Sequence, residues 1–250
     1  MTFDKLKFSD VLPIIKEGFV ALKARFWLFT LPVVVMSIVM ATAIYLSTKF
    51  INPDNEIFSL CLSLAVFVFV NLVIAVLLIN NKLHQQMTGK IENYFQTLKN
   101  ELSNANIYVL IVILSLIELI PSLLFSVVAT QITDPQMLHL ASALLQLVVF
   151  IFCALGVLAL IISIKTQGSY KPFHLLWVSL QFVLRNILVL IVLHLFIVIM
   201  MIIINLSFAA GMQVGTSYII VFLIVCQFII NLVLMVLSVL IADNCVRISN

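Results

Sequence analysis

Six long stretches of almost uninterrupted apolar residues constrain the fold of this chain more than any other feature. Each is about as long as the 20 residues that an α-helix needs to cross a membrane. Their apolar residues do not alternate with polar ones, as they would in the strands of a membrane barrel. The sequence therefore predicts six transmembrane helices, at residues 26–46, 57–79, 107–129, 138–164, 187–208 and 218–242.

The overall composition agrees with a membrane protein and excludes a water-soluble domain. Hydrophobic residues make up 64% of the 250 residues, and charged residues only 9%. Soluble domains carry about a quarter charged residues because their surface must meet water. We therefore predict an all-α integral membrane protein that forms a single membrane domain over residues 1–250.

The positions of lysine and arginine predict the orientation. Twelve of the 13 basic residues fall before the first span, in the loops after the second and fourth spans, or at the C-terminus. Only Lys49 lies on the opposite side. Because basic residues are enriched in cytoplasmic loops, both termini are expected in the cytoplasm. The first 25 residues are charged and lack a small-residue cleavage site, so no cleavable signal peptide is expected.

An amphipathic segment precedes each pair of spans, at residues 13–25, 91–102 and 172–185. Such segments lie in the plane of the lipid headgroups, and basic side chains there attract anionic lipids. Asp10 or Ser9 is a candidate cap for the first helix and Thr88 for the second, with Pro13 in the first turn of the first. The apolar residues of the third are Phe173, Leu176, Trp177, Leu180 and Leu184. The expected headgroup contacts are Lys16, Lys23, Arg25, Lys90, Lys99, Lys171 and Arg185.

The three pairs of spans begin about 80 residues apart, which indicates an internal repeat with units at 8–80, 88–165 and 172–245. Five of seven residues agree between 71–77 and 231–237, and Arg25 and Arg185 are 160 residues apart. Leucine and valine are abundant, so a chance match is the alternative. Each unit contains two spans and returns to its starting side, so the copies are parallel. This disfavours the inverted-repeat transporter folds.

The stretch from Ser179 to Asn186, just before the fifth span, reads Ser-Leu-Gln-Phe-Val-Leu-Arg-Asn. With the six spans and their amphipathic segments, it resembles the YciC-like bacterial inner-membrane proteins. It also resembles the related membrane domain attached to some glycerophosphodiester phosphodiesterases. The resemblance implies a multi-pass protein of the bacterial inner (plasma) membrane. It implies no catalytic residues for this chain.

Glu118 is the acidic residue placed about halfway along the third span. A charged acid at that depth costs about 2.5–3.5 kcal/mol on insertion scales, so the protonated form is cheaper to bury. Pro121 removes a backbone hydrogen bond and frees the carbonyl of Ile117. Glu118 is expected to bond either to a freed carbonyl or to a polar group on another span. Its role is either a proton or cation relay or a hydrogen bond between helices.

Five further intramembrane polar residues are candidate partners for Glu118. Asn71, His194 and Asn231 fall in the cytoplasmic halves of their spans, and Gln146 and Gln227 fall in the outer halves. An imidazole titrates near neutral pH, but a histidine in a span is also a common interhelical hydrogen-bond donor. The asparagines are expected to bond between helices, an interaction worth about 0.6–2 kcal/mol.

Residue patterns of known catalytic and metal sites are missing from the sequence. The four histidines and four cysteines are dispersed, with no HExxH or CxxC spacing. No Walker loop or hydrolase elbow occurs, and a net charge of +3 does not indicate nucleic-acid binding. We therefore expect no enzymatic activity, no metal, no cofactor and no nucleic-acid partner.

Three functions remain open on the sequence. The first is a non-enzymatic scaffold or accessory subunit that acts on lipids or on partner membrane proteins, including copies of itself. The second is a small-solute or ion transporter or channel subunit that uses Glu118. The third, an intramembrane enzyme on lipids, would need paired acids or a nucleophile beside a base.

Overall fold

The computed structural model describes residues 4–50, 56–86, 96, 99–100, 104–129, 134–166, 170–214 and 217–247. Within these ranges the chain is helical and contains no strand, which confirms the all-α class for the described part. A short 3₁₀ turn at Phe8–Asp10 precedes the first α-helix. The long helices are α1 (Val11–Ala24), α2 (Phe26–Phe50), α3 (Glu56–Gln86), α4 (Ala105–Ala129), α5 (Pro135–Lys165), α6 (Pro172–Val214) and α7 (Ser217–Cys245).

Four stretches of the described helices are long and apolar enough to cross a membrane. They are Phe26–Ser47, Leu60–Leu83, Pro172–Gly211 and Phe222–Cys245. Helices α4 and α5 contribute the shorter apolar stretches Ala105–Pro121 and Ala154–Lys165. All six apolar stretches found in the sequence lie inside helices α2 to α7. The total of six spans stays a prediction.

The first amphipathic segment forms helix α1, and its buried face packs against protein. Ile14, Gly18 and Leu22 are buried at a spacing of four residues. Gly18 lies against Leu237 and Ile241 of α7. Of the two candidate caps, Asp10 occupies the N-cap position of α1, but its side chain makes no capping hydrogen bond to that helix. Its Oδ2 instead accepts a hydrogen bond from the backbone N–H of Lys7, at 2.8 Å.

Two breaks in helical geometry coincide with the expected borders between amphipathic segments and spans. Arg25, with φ −140° and ψ 52°, separates α1 from α2. Asn186, with φ −118° and ψ 15°, interrupts α6. The Asn186 Oδ1 accepts a bond from the N–H of Leu6 at 2.9 Å, and its Nδ2 donates to the Phe182 carbonyl at 3.0 Å. The kink in α6 therefore also holds the N-terminal segment.

The third amphipathic segment is the part of α6 before this kink. Its buried residues are Leu175, Ser179 and Phe182, on one face of the helix. Phe173 and Trp177, which the sequence assigned to the membrane, are exposed. The second amphipathic segment, at 91–102, lies almost wholly outside the described residues, as does its candidate cap Thr88.

The chain divides into two compact units. The first comprises Met1–Ser37 and Gln181–Asn250, and in it α1 packs on α7. The second comprises Ile38–Leu180, and in it α3, α4 and α5 pack against one another. The prediction of a single membrane domain stays a prediction.

Candidate functional site

A buried polar cluster lies where α3, α4 and α5 meet in the second unit. The Asn71 Nδ2 donates to the Glu118 Oε2 at 2.9 Å and lies 3.1 Å from the Ser115 Oγ. Asn71 is 2% exposed, Ser115 0% and Glu118 3%. We call these three residues the Asn71–Ser115–Glu118 cluster. It contains the acid that the sequence singled out and one of its five expected partners.

The positions of these side chains follow from helix geometry. Ser115 and Glu118 are three residues apart, so they share one face of α4. The Ser115 Oγ donates to the carbonyl of Ile111 at 2.8 Å, and this bond orients its lone pairs toward Asn71. Ser115 could have been predicted from the sequence. It is a small hydroxyl residue three positions before Glu118, and this spacing puts both side chains on one helix face.

Gly156 on α5 forms the third side of the cluster. A Cβ atom at this position would lie 3.3 Å from the Glu118 Oε1 and 3.4 Å from the Leu114 Cδ2. The missing side chain lets the backbone of α5 approach the carboxyl group closely. Gly156 was not among the residues predicted from the sequence, because nothing in the sequence says which residue of α5 faces Glu118.

The chemistry of the cluster is that of a hydrogen-bonded helix contact. An amide nitrogen donates to a carboxyl oxygen whether or not the acid carries a proton. These bonds offset the cost of burying the polar groups, which is high when no partner is present. The sequence left two partners open for Glu118, a freed backbone carbonyl or a polar group on another helix. The structure shows the second, because Asn71 on α3 donates to its carboxyl.

A second group of amides lies in the first unit. The Gln227 Nε2 on α7 donates to the Asn205 Oδ1 on α6 at 2.6 Å, and the Asn231 Nδ2 lies 3.3 Å from the same oxygen. The buried Asn231 Oδ1 has no hydrogen-bond partner among the described atoms. Asn205 was missed as a candidate, although the two expected amides, Gln227 and Asn231, both meet it.

The two remaining candidates are His194 and Gln146. His194 is half-buried in α6, in the first unit. Gln146 lies in α5, but its side chain is outside the described set. Among the described residues, no group of three histidine, cysteine, aspartate or glutamate side chains is arranged to hold a metal ion.

Most of the basic residues expected to contact lipid headgroups are on the surface. Arg25 is half-buried, and Lys90 lies outside the described residues. The exposed ones are Lys16, Lys23, Lys99, Lys171 and Arg185. Lys82 on α3, by contrast, donates through Nζ to the carbonyl of Ile164 at the end of α5, at 3.0 Å. A cation at a helix C-terminus is favourable, so Lys82 joins two helices.

The chain was compared with known proteins at three levels. Comparison with protein-family models, with curated proteins and with solved structures finds no match at any of them.

Proposed function

We propose that the protein is a non-enzymatic, multi-pass membrane protein that acts as a scaffold or accessory subunit and binds membrane lipids. The observation that carries this proposal is the way Glu118 is bonded. Its carboxyl is buried, accepts a bond from Asn71 and faces the backbone of α5 at Gly156. An acid held in this way stabilises helix packing, which is what a scaffold requires of it.

The surface of the described part supports the lipid-binding half of the proposal. Phe173 and Trp177 are 74% and 58% exposed, within two turns of the exposed Lys171. Aromatic rings and cations placed together are typical of the membrane–water interface. In this proposal they contact the acyl region and anionic headgroups at the cytoplasmic face. Copies of this chain or other membrane proteins are the proposed protein partners.

The proposed setting is the bacterial inner membrane, with six spans and both termini in the cytoplasm. It rests on the distribution of basic residues and on the resemblance to the YciC-like proteins.

The parallel threefold repeat is part of the same proposal. Its support is a common register of buried residues at the starts of the first spans. Phe29 and Val33 are buried in the first copy of the repeat, and Val189 and Leu193, each 160 positions later, are buried in the third copy.

The test is gentle extraction together with native lipid, followed by mass spectrometry of everything that stays bound. A stoichiometric partner protein or a defined lipid on the wild-type chain is the expected result. Recovery of the bare chain under conditions that preserve known membrane complexes would contradict the proposal.

A transporter or channel subunit is the second candidate, and the burial of an acid beside an amide and a hydroxyl is the observation that favours it. Its test is flux of protons, metal cations and small solutes into proteoliposomes. Flux that Glu118→Gln abolishes would support this candidate and contradict the scaffold. Equal leakage with wild type, Glu118→Gln and empty vesicles is the result the scaffold predicts.

A further inference from the structure

We propose that a cavity in the second unit binds one acyl chain of an anionic phospholipid. The cavity has a volume of about 290 Å³ and lies among α4, α5 and the start of α6. Leu114 and Ile117 line it from α4, and Leu155 lines it from α5. The side chains from α6 include Trp177 and Leu180. The inference rests on the proposed lipid-binding function and names the ligand class and its place.

The lining determines the kind of ligand. Every residue that lines the cavity is apolar. Protein interiors are close-packed, and voids larger than a water molecule are few. An engineered apolar cavity of about 150 Å³ stays dry and takes up apolar molecules such as benzene. The cavity here is larger than that, and its lining is predominantly apolar, so a hydrocarbon is the ligand that suits it.

The position of the cavity determines where the hydrocarbon comes from. Phe173 and Trp177 line the cavity while remaining 74% and 58% exposed, so the space reaches the surface of α6. Around a chain of apolar helices that surface meets lipid. The nearest supply of hydrocarbon is therefore an acyl chain of the surrounding bilayer.

The residues just before the cavity determine the headgroup. Lys171 is exposed at the start of α6, and the Tyr170 and His174 rings stack beside it with centroids 5.3 Å apart. Along α6, the first residue that lines the cavity is Phe173, two positions after Lys171. Lys171 can therefore pair with an anionic headgroup while the acyl chain of the same lipid occupies the apolar cavity. This arrangement favours phosphatidylglycerol over phosphatidylcholine.

The test compares lipid retention by the full-length wild-type chain and two variants. Leu155→Trp enlarges a cavity-lining side chain and so displaces the acyl chain. Leu188→Trp is the matched control, since Leu188 is 62% exposed on α6 and does not line the cavity. Each delipidated protein is incubated with palmitoyl-oleoyl phosphatidylglycerol or the corresponding phosphatidylcholine. Native mass spectrometry then counts the lipids that survive collisional activation.

We expect one strongly held phosphatidylglycerol on the wild type and on Leu188→Trp. Leu155→Trp should retain about tenfold less, because excluding two methylenes from the site costs about that factor in affinity. Lys171→Gln should reduce the preference for phosphatidylglycerol while retaining a lipid. Equal retention by wild type and Leu155→Trp, or a wild-type dimer without lipid, would overturn the proposal.

A second measurement avoids any change at the cavity. Wild-type protein in phosphatidylglycerol nanodiscs receives a trace of the same lipid with a diazirine near the end of one acyl chain. Peptides that contain Leu155 or Leu180 should be labelled several-fold above the exposed peptide around Leu188. Uniform labelling would contradict the site. Solute flux through the wild-type chain would contradict the scaffold role but would leave the lipid-retention and labelling results unchanged. Failure of the proposed function can therefore be distinguished from failure of the proposed lipid site.

Discussion

Gly156 and Glu118 face each other so closely that a Cβ atom on the glycine would stand 3.3 Å from the carboxyl oxygen Oε1. The same atom would stand 3.4 Å from the Cδ2 of Leu114. The packing of α5 against α4 thus depends on a missing side chain next to a buried acid. Gly156 therefore lies between the polar cluster and the apolar cavity, because Glu118 belongs to the cluster and Leu114 lines the cavity.

Enlarging Gly156 is expected to separate α4 from α5. Gly156→Ala places a methyl group at a tight distance, so the carboxyl of Glu118 must shift by a few tenths of an ångström. Gly156→Val adds two more carbons and should destabilise the fold by about 1–3 kcal/mol, the usual cost of overpacking. Thermal unfolding in detergent measures both. A melting temperature for Gly156→Val equal to the wild type would show that this contact is loose.

Changes at Glu118 separate a structural role from a chemical one. Glu118→Gln keeps an acceptor oxygen for the Asn71 amide and should leave the melting temperature within about 2 °C of the wild type. Glu118→Ala leaves that buried amide without this acceptor, which costs about 1–3 kcal/mol. For a chain of this length that corresponds to a loss of about 2–4 °C per kcal/mol.

Asn71→Leu is the complementary change at the same contact, and Glu118→Ala with Asn71→Leu completes a double-mutant cycle. The two single losses should add to more than the double loss, because both remove the same hydrogen bond. Strict additivity in the melting temperatures would refute the energetic importance of the Asn71–Glu118 bond.

Gly18 is expected to be the more sensitive of two helix-contact glycines in the first unit. A Cβ atom at Gly18 would lie 2.9 Å from the Cγ1 of the buried Ile241, so the helices must move apart. At Gly211 the nearest atom is the Cδ1 of Leu223, at 3.2 Å, which is the end of a flexible side chain. Gly18→Ala should therefore lower the melting temperature more than the control Gly211→Ala. A larger loss of melting temperature for Gly211→Ala would show that Gly18 is not a close contact between α1 and α7.

Asn186 is expected to hold the N-terminal segment in place. Its Oδ1 accepts the N–H of Leu6, which is itself buried, and the Asp4 N–H donates to the Arg247 carbonyl at 3.2 Å. Asn186→Ala removes the first of these bonds. Limited proteolysis of the intact protein in detergent should then cut near Lys5 and Lys7 several-fold faster than in the wild type. Asn205→Ala, at another α6 asparagine, is the control and should not change these cuts.

The local sequence determined which parts of the chain are helical, where α1 ends and where α6 is interrupted. Runs of apolar residues cannot be exposed to water, and in lipid a helix bonds its own backbone groups. The borders at Arg25 and Asn186 were expected because basic and polar residues end the amphipathic segments there. Glu118 stood out for an equally local reason, since an acid within an apolar run is costly and rare.

Only the tertiary structure decided which residues meet. Asn71 and Glu118 are 47 positions apart, and their bond exists because α3 lies beside α4. Asp10 stands at the N-cap of α1 without capping it, since its backbone is helical there, with φ −84° and ψ −15°, and its Oδ2 accepts from the N–H of Lys7. Gly156 and the apolar cavity had no signal in the sequence, because close approach and empty space depend on the register between helices. That register is set by the packing of all the side chains together, which local hydropathy does not encode.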